Sequence, residues 1–112
     1  MSENVFVKSG RVTDIIPSST TGDSTGAWRY KDAPKAAFQA TVVGSGAVAC
    51  TVTIQVSNDA TYAVATALGT ITLSGTTSAS DGFTSDAPWK YVRAVVSGSS
   101  GTITSISVLM SV

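Results

Sequence analysis

The side chains able to do chemistry in this chain are few. Its acids are Glu3, Asp14, Asp23, Asp32, Asp59, Asp81 and Asp86, its bases are Lys8, Arg11, Arg29, Lys31, Lys35, Lys90 and Arg93, and it has one cysteine, Cys50, and no histidine. Without histidine there is no His-based triad, no zinc site of the usual kind and no proton shuttle near neutral pH. A Ser–Lys pair remains formally open with Lys8, Lys31, Lys35 or Lys90, but no spacing singles one out. Asp81 and Asp86 are close in sequence, with Gly82 and Phe83 between them. The plain reading makes both turn residues that accept backbone N–H bonds. The competing readings are a calcium site built from the two carboxylates and loop carbonyls, and a paired-carboxylate hydrolase, which needs two acids facing each other across a cleft. The turn reading outweighs both, so the expectation is no catalytic residue, no metal and no cofactor. Cys50 falls on the apolar face of an alternating segment, the position of a small buried hydrophobe rather than a reactive thiol.

Two short segments mix aromatic rings with charge. Trp28, Arg29 and Tyr30 form one; Trp89, Tyr91 and Arg93 form the other. Trp, Tyr and Arg are the usual anchors of protein interfaces, and all six are candidate interface residues. Trp89 follows Pro88 at a strand entry, and it also suits the core edge as a cap on an open end. A sugar-binding platform is a further option, although the sequence does not display the polar partners it needs.

These residues must be positioned by a scaffold of unusual composition. Seven basic and seven acidic residues give zero net charge, only 12% of the 112 residues are charged, and serine plus threonine number 33. Polarity is carried by hydroxyls. Nucleic-acid binding is disfavoured, because it draws on clustered Lys and Arg. A single cysteine allows no internal disulfide and favours folding in a reducing cytoplasm. The start, Met1 to Lys8, lacks the basic region and unbroken apolar run of a signal peptide. No stretch approaches the ~20 apolar residues that span a bilayer, so no membrane partner is expected.

The β-formers dominate, with fourteen Val, six Ile and sixteen Thr against three Leu and one Glu. No apolar stripe of helical period is sustained, so the chain reads as all-β. The clearest strand runs from Val48 to Val56, where Val48, Cys50, Val52, Ile54 and Val56 alternate with Ala49, Thr51, Thr53 and Gln55. Phe38, Ala40 and Val42 form the inward set of the strand before it. Gly44-Ser45-Gly46 between the two predicts a hairpin loop. Further strands are expected at Tyr62 to Leu68, Thr70 to Ser74, Trp89 to Val96 and Thr102 to Val112. Gly75 to Gly82 reads as a loop and Ser97 to Gly101 as a plain turn. Val5 to Ile16 suggests one or two short strands around Ser9-Gly10. Pro17 to Gly26 has no large apolar residue and reads as an exposed loop or mobile arm. The expectation is a single antiparallel β-sandwich, jelly-roll or immunoglobulin-like, over residues 28–112, preceded by an extended arm over 1–27. Val48–Val56 and Ile103–Val112 lack Lys guards; read as edge strands, they make self-association plausible.

The run Val52-Thr53-Ile54-Gln55-Val56-Ser57-Asn58-Asp59, followed by Phe83 and by Trp89-Lys90-Tyr91-Val92-Arg93-Ala94-Val95-Val96-Ser97-Gly98, resembles a pattern in small β-sandwich structural proteins of tailed-bacteriophage virions. The nearest class is head decoration proteins, also called cement or staple proteins. The resemblance covers about half the chain, rests on strands and turns, and contains no catalytic motif. It implies a protein made in the bacterial cytoplasm that coats the capsid exterior. There it would bind across neighbouring major capsid subunits as a homo-dimer or homo-trimer and stabilise the shell. The N-terminal arm would order on assembly. A tail-associated or glycan- or receptor-binding module is the alternative, and a small hydrolase the remote third.

Overall fold

The computed structural model describes residues 12–112 apart from 32, 60, 62 and 63. The described residues form seven antiparallel strands and no helix: β1 (Val12–Thr20), β2 (Ser24–Thr25), β3 (Arg29–Tyr30), β4 (Ala36–Ser57), β5 (Thr66–Gly75), β6 (Ser78–Ser85) and β7 (Tyr91–Ser111). All belong to one hydrogen-bonded sheet. The long strands β4 and β7 pair along nearly their whole length, from Ala37 opposite Ser111 to Ser57 opposite Tyr91. β1, β2 and β3 succeed one another along the far side of β7. β5 and β6 do the same along the far side of β4. The all-β, antiparallel expectation therefore holds.

The sheet cannot be flat. At roughly 3.3 Å per residue a straight strand of β4's length would reach about 73 Å, yet the longest dimension of the molecule is 47 Å and the shortest 20 Å. β4 and β7 bend together at mid-length. Their register shifts between Val43 and Gly44, between Gly44 and Val48, and between Ala49 and Thr51. At the same level in β7, Gly98 and Gly101 adopt φ values of 60° and 93°. Both limbs of the bent ribbon bury the same face. Phe38, Ala40 and Val42 lie on one limb of β4, and Val48, Cys50, Val52, Ile54 and Val56 on the other. β7 contributes Val92, Ala94 and Val96 to one limb and Ile106, Val108 and Met110 to the other. These residues make a single core. With no helix to cover it, the apolar face closes on itself in a sandwich-like arrangement. The limbs touch directly through Phe83, which packs on its same-limb neighbour Phe38 with ring centroids 5.2 Å apart. On the facing limb, a Cβ added to Gly69 would sit 2.7 Å from the Phe83 ring. Each fully buried aliphatic or aromatic side chain contributes about 1.5–3 kcal/mol relative to exposure.

The structure differs from the sequence reading at every expected turn within the long strands. Gly44-Ser45-Gly46 is not a hairpin. The neighbours of residues 36–43 are β6 and the end of β7, and β4 simply bends there. A Cβ on Gly44 would collide with the Thr102 carbonyl oxygen, so glycine serves close approach across the bend. Ser97 to Gly101 likewise bulges β7 without reversing it. Gly75 to Gly82 contains the first five of β6's eight residues, and its loop-like composition is overridden by the ladder to β4.

The arm over residues 1–27 is also corrected where it is described. β1 pairs with β7 from Val12 opposite Ser111 to Thr20 opposite Ile106, and Ile15 and Ile16 are fully buried. Pro17 is tolerated because β1 is an edge strand and Pro17 falls within its register shift between Ile16 and Thr20. Removing residues 1–26 would strip one edge of the sheet and two core isoleucines. The strands read as unguarded edges, Val48–Val56 and Ile103–Val112, occupy the centre; the actual edges are β1–β3 and β5–β6. The strand expected around Ser9-Gly10 lies outside the described residues, as do Tyr62 and Ala63 of the strand expected from Tyr62.

Candidate interface at the open end of the sheet

The bend closes one end of the folded sheet. At the opposite end two segments cross between the limbs: residues 31–35 join β3 to β4, and residues 86–90 join β6 to β7. Lys31 holds them together. Its side chain is buried, and its ammonium group donates to the carbonyls of Ala33 at 2.8 Å, Pro34 at 3.3 Å and Ala87 at 3.1 Å. Its backbone N–H donates to the Lys90 carbonyl at 2.7 Å. Three protons thus meet three acceptors on two loops. Burial, and secondarily the charge of Lys90, pushes the Lys31 pKa below its ordinary value. With its protons committed to carbonyls, Lys31 is placed as a staple rather than as a base.

Beside this end the outward face of the sheet gathers most of the candidate interface residues. Tyr30 pairs with Tyr91 across β3 and β7, and the rings meet edge to face at 5.8 Å. One step along, Arg93 pairs with Gln55 of β4, and its Nε donates to Gln55 Oε1 at 2.7 Å. Its guanidinium carbon lies 4.7 Å from the ring centroid of Trp28. A cation held over an indole face at this distance is attracted by the ring quadrupole. Four of the six sequence candidates, Trp28, Tyr30, Tyr91 and Arg93, therefore form one cluster from two segments about sixty residues apart. Tyr30 is 60% exposed.

The other two candidates lie elsewhere. Arg29 sits opposite inward-facing Val92, off this row, and reaches the Asp14 carbonyl at 3.4 Å. Trp89 is partly buried against the core, in keeping with its reading as a cap at the open end. Gln55 was missed as a member of the cluster. Alternation placed it on the outward face, but its partner Arg93 is 38 residues away in sequence and only the β4–β7 register joins them. Nothing local marked Lys31.

The acidic and thiol candidates are also placed. Asp81 lies within β6 opposite Ala40, not in a turn, and its Oδ1 accepts from the Gly82 N–H at 2.8 Å. Asp86 follows β6 and lines an open groove of about 550 Å³ with Lys35, Thr84, Ser85 and Ser111. Ser85 Oγ in that groove accepts from the Ala87 N–H at 3.2 Å. No cluster of three metal-ligating side chains occurs among the described residues. Asp23, at the bend, accepts both the backbone N–H and the hydroxyl of Ser99, and these bonds hold its pKa below the ordinary value. Cys50 is buried, and desolvation, with a smaller effect of the Asp23 charge, pushes its thiol pKa up.

No helix among the described residues is long and apolar enough to cross a membrane. Comparison with protein-family models, curated proteins and solved structures gives no match to this chain.

Proposed function

We propose that the protein is a non-catalytic structural component of a tailed-bacteriophage virion. It would sit on the capsid exterior across neighbouring major capsid subunits and stabilise the shell. The resemblance of residues 52–98 to decoration proteins suggests the setting. The observation that carries the reading is the outward cluster of Trp28, Tyr30, Tyr91 and Arg93 beside the stapled end. Interface hot spots are built from these residue types, and fixing them on paired strands lowers the entropy lost on docking. A shell-specific ligand stabilises by mass action, about 2.7 kcal/mol per site at a hundredfold excess over Kd. The open edge strands β5 and β6 carry one charge, Asp81, and suit pairing with a second copy. The glycan-binding alternative is less favoured, because Arg93 occupies a face of Trp28 on which a sugar ring would stack.

The test is co-sedimentation with undecorated capsids of the phage whose genome encodes the chain, together with the melting temperature of the shell. Saturable binding at a symmetric stoichiometry and a raised melting temperature are expected, with both lost in the double variant Trp28→Ala/Tyr30→Ala. A gene lying outside any phage head-assembly cluster, or capsids that neither bind nor melt later, would overturn the reading.

A further inference from the structure

Every basic side chain among the described residues lies near one end of the molecule. Arg29, Lys31 and Lys35 flank one crossing segment, and Lys90 and Arg93 flank the other. The described acids nearby are Asp14, Asp59 and Asp86, so in a chain of zero net charge the described residues at this end carry five basic against three acidic side chains. Within this end one cation is oriented. Arg93 is pinned by its Nε to Gln55 and by its guanidinium plane to Trp28. Arginine has five N–H donors; Nε–H is used, and no described residue hydrogen-bonds the two terminal nitrogens. Those nitrogens form the fork that matches a carboxylate bidentately. Free arginine loses rotamer entropy on forming such a pair, whereas here two contacts have already fixed the head. Tyr30 and Tyr91 stand on the next cross-strand pair and set aromatic rings beside the head, with Tyr30 60% exposed.

We propose that Arg93, held by Gln55 and Trp28, is a docking fork for an aspartate or glutamate side chain of a partner protein. Charge complementarity selects the occupant. The fork is cationic, its surroundings are net basic, and no described carboxylate forms a hydrogen bond to it. The inference rests on the proposed binding face for its location but not on the identity of the partner.

The test uses NMR titration of the full chain with N-acetyl-aspartate N-methylamide, and with the asparagine analogue as a neutral control. Millimolar binding is expected for the acid, shifting the Arg93 side-chain and Trp28 indole signals. The neutral control, and the acid at high salt, should shift them at least tenfold less. Arg93→Gln should abolish the shift, Arg93→Lys should retain only a fraction because the fork is lost, and Gln55→Ala should weaken it severalfold. Equal shifts with acid and amide, or shifts centred on Lys35 and Lys90, would overturn the proposal. A clearly stronger response to glucuronate would overturn its assignment to a protein carboxylate. The two readings separate. Capsid binding that survives Arg93→Gln, with no carboxylate response, removes the fork alone; a carboxylate response without capsid binding removes the capsid role alone.

Discussion

Replacing Lys31 with methionine isolates the staple at the open end, because methionine keeps most of the stem's packing and removes the charge and donors. Two effects oppose each other. Burying a cation carries an effective penalty of several kcal/mol, which the substitution relieves. It also leaves the carbonyls of Ala33, Pro34 and Ala87 without their donor. Ala33 and Ala87 are half-buried and Pro34 is exposed, so the loss is that of three charge-assisted hydrogen bonds, about 1.5–3 kcal/mol each, which together outweigh the relief by about 3 kcal/mol. Unfolding entropy of roughly 2.1 cal/mol/K per residue gives the 112-residue chain about 0.23 kcal/mol/K. The melting temperature should then fall by about 13 °C. The assay is thermal and urea unfolding at pH 7, followed by far-UV circular dichroism. A fall of less than about 3 °C, or a gain in stability, would refute the reasoning. It would mean that water already shares the carbonyls or that desolvation dominates.

Other consequences can be checked on the same footing. Gly98→Ala places a Cβ in open space at a φ of 60° and should destabilise by about 1–2 kcal/mol. Gly101→Ala, whose Cβ would collide with the Ala47 carbonyl oxygen at a φ of 93°, should cost far more or abolish folding, and urea midpoints for the pair decide this. The Asp23 carboxylate has a lowered folded pKa, so its contribution is present above 3.8 and is lost as pH falls through the lower folded value. Wild type should therefore lose stability more steeply than Asp23→Asn over that acid window, and identical pH–stability curves would contradict it. Cys50 should react with a thiol reagent at neutral pH only after denaturant is added, and rapid stoichiometric labelling of the native protein would show that the core opens.

The sequence by itself determined the fold class and the inward residues of each long strand. Period-two alternation around Phe38, Val52, Val92 and Val108 is a local property, and the buried faces follow it. It also marked the aromatic and arginine segments as the places to look. Only the tertiary structure decided what the glycine-rich stretches do. Gly44-Ser45-Gly46 and Ser97 to Gly101 have the composition of turns, but each lies within paired strands, Gly44 opposite Ile103 and Ser97 to Gly101 opposite Thr51 to Val48, so the ladder continues through a bend. Nor could the sequence show that Pro17–Thr20 and Ser78–Ser85 are strands, because pairing partners 35 or more residues away supply their stability. The candidate site follows the same division. Its residue types were legible, but the contacts of Arg93 with Trp28 and Gln55, and the burial of Lys31 among carbonyls of two loops, arise from register and chain crossing. Neither leaves a periodic trace in the sequence, because each depends on which distant segments the closing of one apolar face brings together.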